Sequence, residues 1–139
     1  MNKNGFKKMM TILENNKKWP IIIAGISGNS LPNAIMLPAT IPSDQLDIVP
    51  DEEGMNYPTW IMQMMIYARK SDKVYLVIDG LDGVDFDEQE KFYTILKHKS
   101  INGYKFPDNV QIVIAIKSGN ISRISDKIAT LCISFDVEK

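Results

Sequence analysis

The chain has 139 residues, a formal net charge of −1 and a single cysteine, Cys132. With 45% hydrophobic and 24% charged residues, its composition is that of a globular domain, which excludes a disordered chain, and a lone cysteine excludes an internal disulfide. No apolar stretch approaches the roughly 18 residues that span a bilayer, and the N-terminal residues contain no apolar block of signal-peptide length. These features predict a cytoplasmic protein with no membrane segment and no overall charge that would attract nucleic acid.

The first half of the chain predicts a helix, two strands and a long loop. In "GFKKMMTILENNKK" the apolar residues recur at helical spacing, and the helix ends before Pro20 because the residue preceding a proline avoids helical geometry. Continuous apolar runs near Ile21–Gly25 and Ala34–Leu37 predict strands, and the first of these has the pattern of a strand buried on both faces. The segment from Ile41 to Pro58 is rich in proline, aspartate and glycine, which predicts a loop.

The second half alternates helices with strands. A helix begins at "PTW", with Thr59 as its N-terminal cap, and a buried strand follows at Val74–Asp79. Asp85 and Glu88 have the spacing of a capping box at the start of the next helix, and "NGYKFPDN" predicts a turn or a small hairpin. Two further apolar runs predict strands near Val110–Ile116 and Cys132–Val137. Strands that alternate with helices indicate βα units around a parallel sheet.

The order of four stretches resembles the core of the AAA+ ATPases, most closely their MoxR-like branch. The stretches are "ILENNKKWPIIIAGISGNS", "IPSDQLDIVPDEEGMNYPTWI", "VYLVIDGLDGVDFDEQEKFYTILKHKSINGYKFPDNVQIVIAIKSGN" and "ISDKIATLCISFDV". The resemblance covers nearly the whole chain and implies a single degenerate AAA+-like domain over residues 1–139. Its fold would be α/β, a three-layer, P-loop NTPase-like core with a mainly parallel five-stranded sheet and no lid domain. The resemblance also implies that the aspartate-ending strand lies beside the first strand.

By this resemblance the chain keeps a vestigial nucleotide site, formed by Gly25, Gly28, Asn29, Ser30 and Asp79. In the phosphate-loop pattern G-x-x-x-x-G-K-[ST], Leu31 stands where a lysine neutralises phosphate charge, and Pro32 stands where a hydroxyl binds Mg²⁺. Only "NAIM" separates Pro32 from the next strand, so the helix whose N-terminus faces the phosphates is nearly absent.

Other residues that hydrolysis needs in that family are also missing. Asp79 matches the metal-associated aspartate, but Gly80 replaces the glutamate that orients water, and Leu131 replaces an arginine that serves a neighbouring subunit. By the same resemblance, we expect no helical lid after the last strand. A structural role for Asp79 would be to accept hydrogen bonds from the Gly25–Ser30 loop. Polar residues at the sensor position remain after "IVIAI", namely Lys117, Ser118 and Asn120.

The sequence therefore predicts a catalytically inactive AAA+-like domain, without cofactor or metal, that binds another protein or acts as a scaffold. An active AAA+ subunit is one candidate partner. The alternative is a weak nucleotide-binding protein or ATPase that uses ATP with Mg²⁺ and is completed by a partner subunit. A nucleic-acid accessory role is disfavoured by the charge balance. The methionines of the "PTWIMQMM" helix predict either core packing or an adaptable protein-binding face.

Overall fold

The apolar runs of the sequence form the strands of a parallel sheet in the computed structural model, which describes residues 3–138. The five strands of this sheet are β1 (Ile21–Ala24), β2 (Ala34–Pro38), β5 (Val74–Asp79), β8 (Val110–Ile116) and β9 (Ile133–Asp136). They lie in the order β2-β5-β8-β1-β9. Two antiparallel hairpins flank the sheet: β3 (Val49–Asp51) with β4 (Gly54–Asn56), and β6 (Ser100–Ile101) with β7 (Tyr104–Lys105).

Six α-helices occur among the described residues: α1 (Lys3–Asn15), α2 (Ser43–Leu46), α3 (Thr59–Lys70), α4 (Phe86–Gln89), α5 (Tyr93–His98) and α6 (Asp126–Ala129). Short 3₁₀ turns connect several of them. Within residues 3–138, none of these helices has both the length and the apolar character needed to cross a membrane.

Alternate residues of each strand point to opposite faces of the sheet, which divides the core into two layers. On one face, Leu76 and Ile114 pack with residues of α3 and α5 such as Ile61 and Ile95. On the other face, Ile21, Ile23, Val77 and Val113 pack with Met9 and Leu13 of α1. The arrangement confirms the predicted fold class, a three-layer, P-loop NTPase-like α/β core with a parallel five-stranded sheet.

The predicted neighbour of the aspartate-ending strand is wrong. β5 does not lie beside β1, because β8 is inserted between them: Val113 pairs with Ile21 of β1 on one side and with Val77 of β5 on the other. β8 takes the central place because all seven of its residues are buried, so it can be covered by a strand on each side and by helices on both faces.

The segment from Ile41 to Pro58 is not a structureless loop, as the sequence predicted, but contains α2 and the β3–β4 hairpin. Leu46 and Ile48 are buried there, and the Trp60 indole Nε1 donates a hydrogen bond of 3.2 Å to the carbonyl of Leu46. These contacts fold the segment against the start of α3.

Neither predicted helix cap forms a side-chain hydrogen bond. Pro58 occupies the cap position of α3, so Thr59 is the first helical residue. Asp85 does precede α4, but its side chain makes no capping bond. The buried side chain of Gln89 holds this region instead. The two N–H groups of its Nε2 are shared among three carbonyls within 3.1 Å, and its Oε1 accepts from the backbone N–H of Ser125 at 2.8 Å. The three acceptors are the carbonyls of Leu81, Val84 and Arg123.

Candidate functional site at the carboxyl ends of the strands

The parallel strands bring their carboxyl ends to one edge of the sheet. Ala24, the last residue of β1, pairs with Ile116 of β8 and with Asp136 of β9, while Asp79 at the end of β5 pairs with Ala115. Ligands of open α/β sheets bind in the crevice at this edge. The glycine loop after β1 and Asp79 therefore lie on the same edge, together with the segments that follow β8 and β9.

The glycine loop is a short turn rather than the start of a helix. Gly25 has φ +96°, which favours glycine, and its N–H donates a 2.9 Å hydrogen bond to the carbonyl of Ile116. A single 3₁₀ turn then spans Gly28–Ser30. The Ser27 hydroxyl donates to the side-chain oxygen of Asn29, so the polar side chains of the loop bond to each other. One turn has too few aligned peptide groups to create the dipole of a phosphate-binding helix.

The loop lies flat against the sheet. Gly28 is buried, and a Cβ at this position would lie 2.5 Å from the Met36 Cε and 2.9 Å from the Val77 Cγ1. Leu31 is only 4% exposed and belongs to the core cluster of the α1 face. The position that carries lysine in the phosphate-loop pattern is therefore a core position in this chain, and its side chain cannot reach a phosphate group.

Asp79 and Gly80 form the end of the aspartate strand. The Asp79 side chain is exposed, and within residues 3–138 no hydrogen bond links its carboxylate to the Gly25–Ser30 loop, contrary to the structural role predicted for it. Its backbone carbonyl accepts from the N–H of Ala39 at 2.9 Å. Gly80 has φ +83°, so a glutamate at this position would be held in a strained backbone conformation.

Two carboxylates bind the predicted sensor residues. Asp82 Oδ2 accepts a 2.7 Å hydrogen bond from the Asn120 side-chain amide, and Asp136 accepts from the Ser118 hydroxyl at 2.9 Å. Asp136 also accepts from the backbone N–H of Gly119 at 2.9 Å. Ser118 and Asn120 are therefore engaged by acidic groups of their own chain. Asp136 was not among the residues predicted from the sequence, although its place at the end of a strand, like that of Asp79, was a signal for this edge.

The electrostatics of this edge disfavour a phosphate ligand. Asp79, Asp82 and Asp136 lie at or just after strand ends, and a Cβ on Gly25 would be 3.0 Å from the Glu138 Cγ. The exposed Lys117 at the end of β8 is outnumbered by these four carboxylates. Unscreened like charges a few ångströms apart repel, so a polyphosphate would meet a negative surface here.

The remaining predicted residues are structural or exposed. Leu131 is partly buried against the core. Arg123, the nearest arginine in the sequence, ends an exposed 3₁₀ turn. Burial raises the pKa of the Cys132 thiol to about 12, and its Sγ donates to the Ile128 carbonyl at 3.3 Å. Across residues 3–138, no three or more His, Cys, Asp or Glu side chains are grouped so as to hold a metal ion.

No family model and no curated protein matches this chain. Two similar solved structures are those of Drosophila ORC with Cdc6, one bound to GC-rich DNA and one bound to AT-rich DNA. The first matches with 14% identity and a TM-score of 0.49, covering 97% of this chain and 54% of the other. The second has 12% identity and a TM-score of 0.46, with coverages of 97% and 53%. The chain thus spans about half the length of the matched chain in each structure, and these matches assign no function to it.

Proposed function

We propose that this protein is a catalytically inactive AAA+-like domain that binds another protein. The observation that carries the proposal is the burial of Leu31. A lysine in the phosphate-loop position must reach the β- and γ-phosphates, whereas Leu31 fills the hydrophobic core beneath the sheet. Loss of such a charge contact in phosphoryl transfer is severe, because catalysis there depends on positioning and charge stabilisation.

The packing of the loop supports the same conclusion independently of any single side chain. Gly28 is in contact with Met36 and Val77, so the backbone that cradles phosphates in an active loop is pressed against the sheet. The carboxylates at the strand ends would also repel a nucleotide. Binding of ATP would require this loop to lift away from the core and expose Leu31.

A protein-binding role is supported by the distribution of exposed apolar side chains. Within residues 3–138, ten large hydrophobic residues are exposed, and seven of them lie between β2 and the end of α3: Met36, Val49, Met55, Tyr57, Met62, Ile66 and Tyr67. In α3, Met64 is fully buried while Met62 is 53% exposed, so the methionine-rich helix serves both the core and the surface. Three of these residues, Met36, Val49 and Tyr57, line one cavity. Exposed apolar patches mark interaction surfaces, and methionine adapts to irregular partners.

Thermal unfolding with Mg-ATP and Mg-ADP tests the inactive assignment. A ligand that binds the native state alone raises the melting temperature by mass action, so we expect no increase at millimolar nucleotide. The matched control is Asp79→Ala, which removes the remaining metal-associated carboxylate. An increase in the melting temperature that disappears in Asp79→Ala would contradict the proposal and favour the nucleotide-binding alternative.

A further inference from the structure

We propose that an extended segment of the partner protein, with Lys or Arg alternating with apolar residues, adds as a strand to the free edge of β2. This inference rests on the proposed protein-binding function and names the site and the chemistry of the partner. It is carried by three features: unpaired backbone groups, an adjoining cavity and a local excess of carboxylates.

β2 is an edge strand, and among the described strands it pairs with β5 alone. The Asn33 carbonyl accepts from the N–H of Tyr75, and the Ala39 N–H donates to the carbonyl of Asp79. Since alternate residues of a parallel strand bond to the same side, the N–H and C=O groups of Ala34 and Met36 point away from β5. An added strand would bond to these groups.

A cavity of about 610 Å³ adjoins this edge. It is bounded by β2, α2, the end of β4 and the start of α3, and we call it the β2 groove. Its lining residues include Met36, Pro38, Ile41, Tyr57 and Trp60. The groove therefore offers apolar contacts beside the free backbone groups, which is the combination that β-strand addition uses for affinity and specificity.

The groove is acidic. Asp44 and Asp47 line it, and Asp51, Glu52 and Glu53 lie in the adjoining hairpin and its turn. From Trp19 to Ala68 the sequence contains no Lys or Arg to balance these carboxylates. Lys91 reaches the region, but its Nζ donates to the Ile41 carbonyl at 2.7 Å and to the Glu88 carboxylate at 3.2 Å. Charge complementarity therefore requires a basic occupant.

Selection of binding peptides from a random library of 12-residue peptides tests the inference. We expect enrichment of sequences with net positive charge and alternating apolar residues. The amides of Ala34 and Met36 should exchange hydrogen quickly in the free protein and slowly with a selected synthetic peptide bound. A failure to enrich any peptide, or enrichment of acidic or uncharged peptides, would overturn the inference.

Two matched pairs of variants locate the site through the dissociation constant of the selected peptide. Met36→Pro removes the N–H that points away from β5 and leaves the hydrogen bonds between β2 and β5 intact, so it should weaken peptide binding at least tenfold. Met36→Ala keeps this N–H and should weaken peptide binding less than Met36→Pro does. The double variant Asp44→Asn and Asp47→Asn should also weaken peptide binding at least tenfold, and this effect should be smaller at high salt. The control double variant, Asp85→Asn and Asp87→Asn, should leave peptide binding unchanged.

A third measurement keeps the test valid if Met36→Pro fails to fold. The selected peptide is synthesised in two forms, one with N-methyl groups on its odd-numbered residues and one with N-methyl groups on its even-numbered residues. Only the form whose N-methyl groups face β2 should lose binding to the unaltered protein. Equal binding of both methylated forms would overturn strand addition. Peptides that bind without slowing hydrogen exchange at the amides of Ala34 and Met36 would overturn this site but not the protein-binding function. The thermal unfolding with nucleotide tests the inactive assignment separately.

Discussion

Replacing Leu31 by alanine should reveal whether the former phosphate-loop position has become part of the core. The side chain is 4% exposed and packs in the cluster formed by α1 and the sheet. Replacing a buried leucine by alanine typically lowers the free energy of unfolding by about 2–5 kcal/mol, because apolar burial is lost and a cavity is left behind. For Leu31→Ala we expect a loss of about 3 kcal/mol. The site lies in a loop that can partly collapse, which argues for the middle of that range rather than its upper end.

Urea unfolding measures this change as a lower midpoint with an unchanged slope. In thermal unfolding the same loss corresponds to a decrease of about 10 °C for a domain of this size. Met62→Ala is the matched control, because that side chain is large and apolar but 53% exposed, and its removal should change the free energy of unfolding by less than about 0.5 kcal/mol.

A Leu31→Ala variant as stable as the Met62→Ala control would refute the assignment of Leu31 to the core. It would also be refuted by Leu31→Lys if that variant kept its stability and gained an ATP-dependent increase in melting temperature. Either result would mean that the loop is free to leave the sheet. The inactive assignment would then depend on missing side chains alone, rather than on a loop that is packed into the core.

Three further changes test other parts of the structure. Gly80→Glu should cost about 1–2 kcal/mol in urea unfolding because of the left-handed backbone at this position, whereas Gly83→Ala, with ordinary φ and open space around it, should cost less. Gln89→Met should cost about 2–4 kcal/mol, because three carbonyls and one N–H lose their buried partner, and equal stability of the two proteins would contradict this. The Cys132 thiol should resist disulfide reagents at pH 8 until the protein unfolds, and rapid native-state labelling would count against its burial. Folding raises the pKa of this thiol from 9.0 to about 12, so the thiol ionises at lower pH in the unfolded chain than in the native protein. The difference in free energy of unfolding between the parent protein and Cys132→Ala should therefore be constant below pH 9 and decrease as the pH rises towards 12.

The central strands were predictable because they are continuous apolar runs. The runs at Val74–Asp79 and Val110–Ile116 are strands with the predicted boundaries, and the first strand ends at Ala24, one residue before the predicted end. The last strand is shorter than predicted at both ends and spans Ile133–Asp136. Strand order was not predictable in the same way, because several equally apolar runs can exchange neighbours without exposing any of their side chains.

Short elements escaped prediction for a different reason. α2 has four residues and each strand of the β3–β4 hairpin has three, so neither contains a full period of the apolar pattern. Tertiary contacts stabilise them instead, such as the hydrogen bond from the Trp60 indole to the Leu46 carbonyl. A segment rich in proline and aspartate gives no sign of such contacts, which are made with residues of the following helix.

For the candidate site, the sequence indicated that Leu31 and Pro32 are unsuited to phosphate binding, and their side-chain chemistry was enough for that. It could not indicate that Leu31 would be buried beneath the sheet, since this depends on contacts with α1. Nor did it reveal that Asp82 and Asp136 would bind Asn120 and Ser118. Those pairs form across loops that only the order of the strands brings together.

The position of β1 in the sheet has a consequence for the synthesis of the chain. Its partners are β8 and β9, which begin at Val110 and Ile133, so the isoleucines of β1 remain without sheet neighbours while the intervening residues are synthesised. At about 5–20 residues per second, that interval lasts roughly 5–20 s. The nascent chain therefore displays a short, strongly apolar and aggregation-prone segment until its C-terminal half emerges. Burial of the β1 isoleucines in the sheet must therefore wait until β8 and β9 have been synthesised.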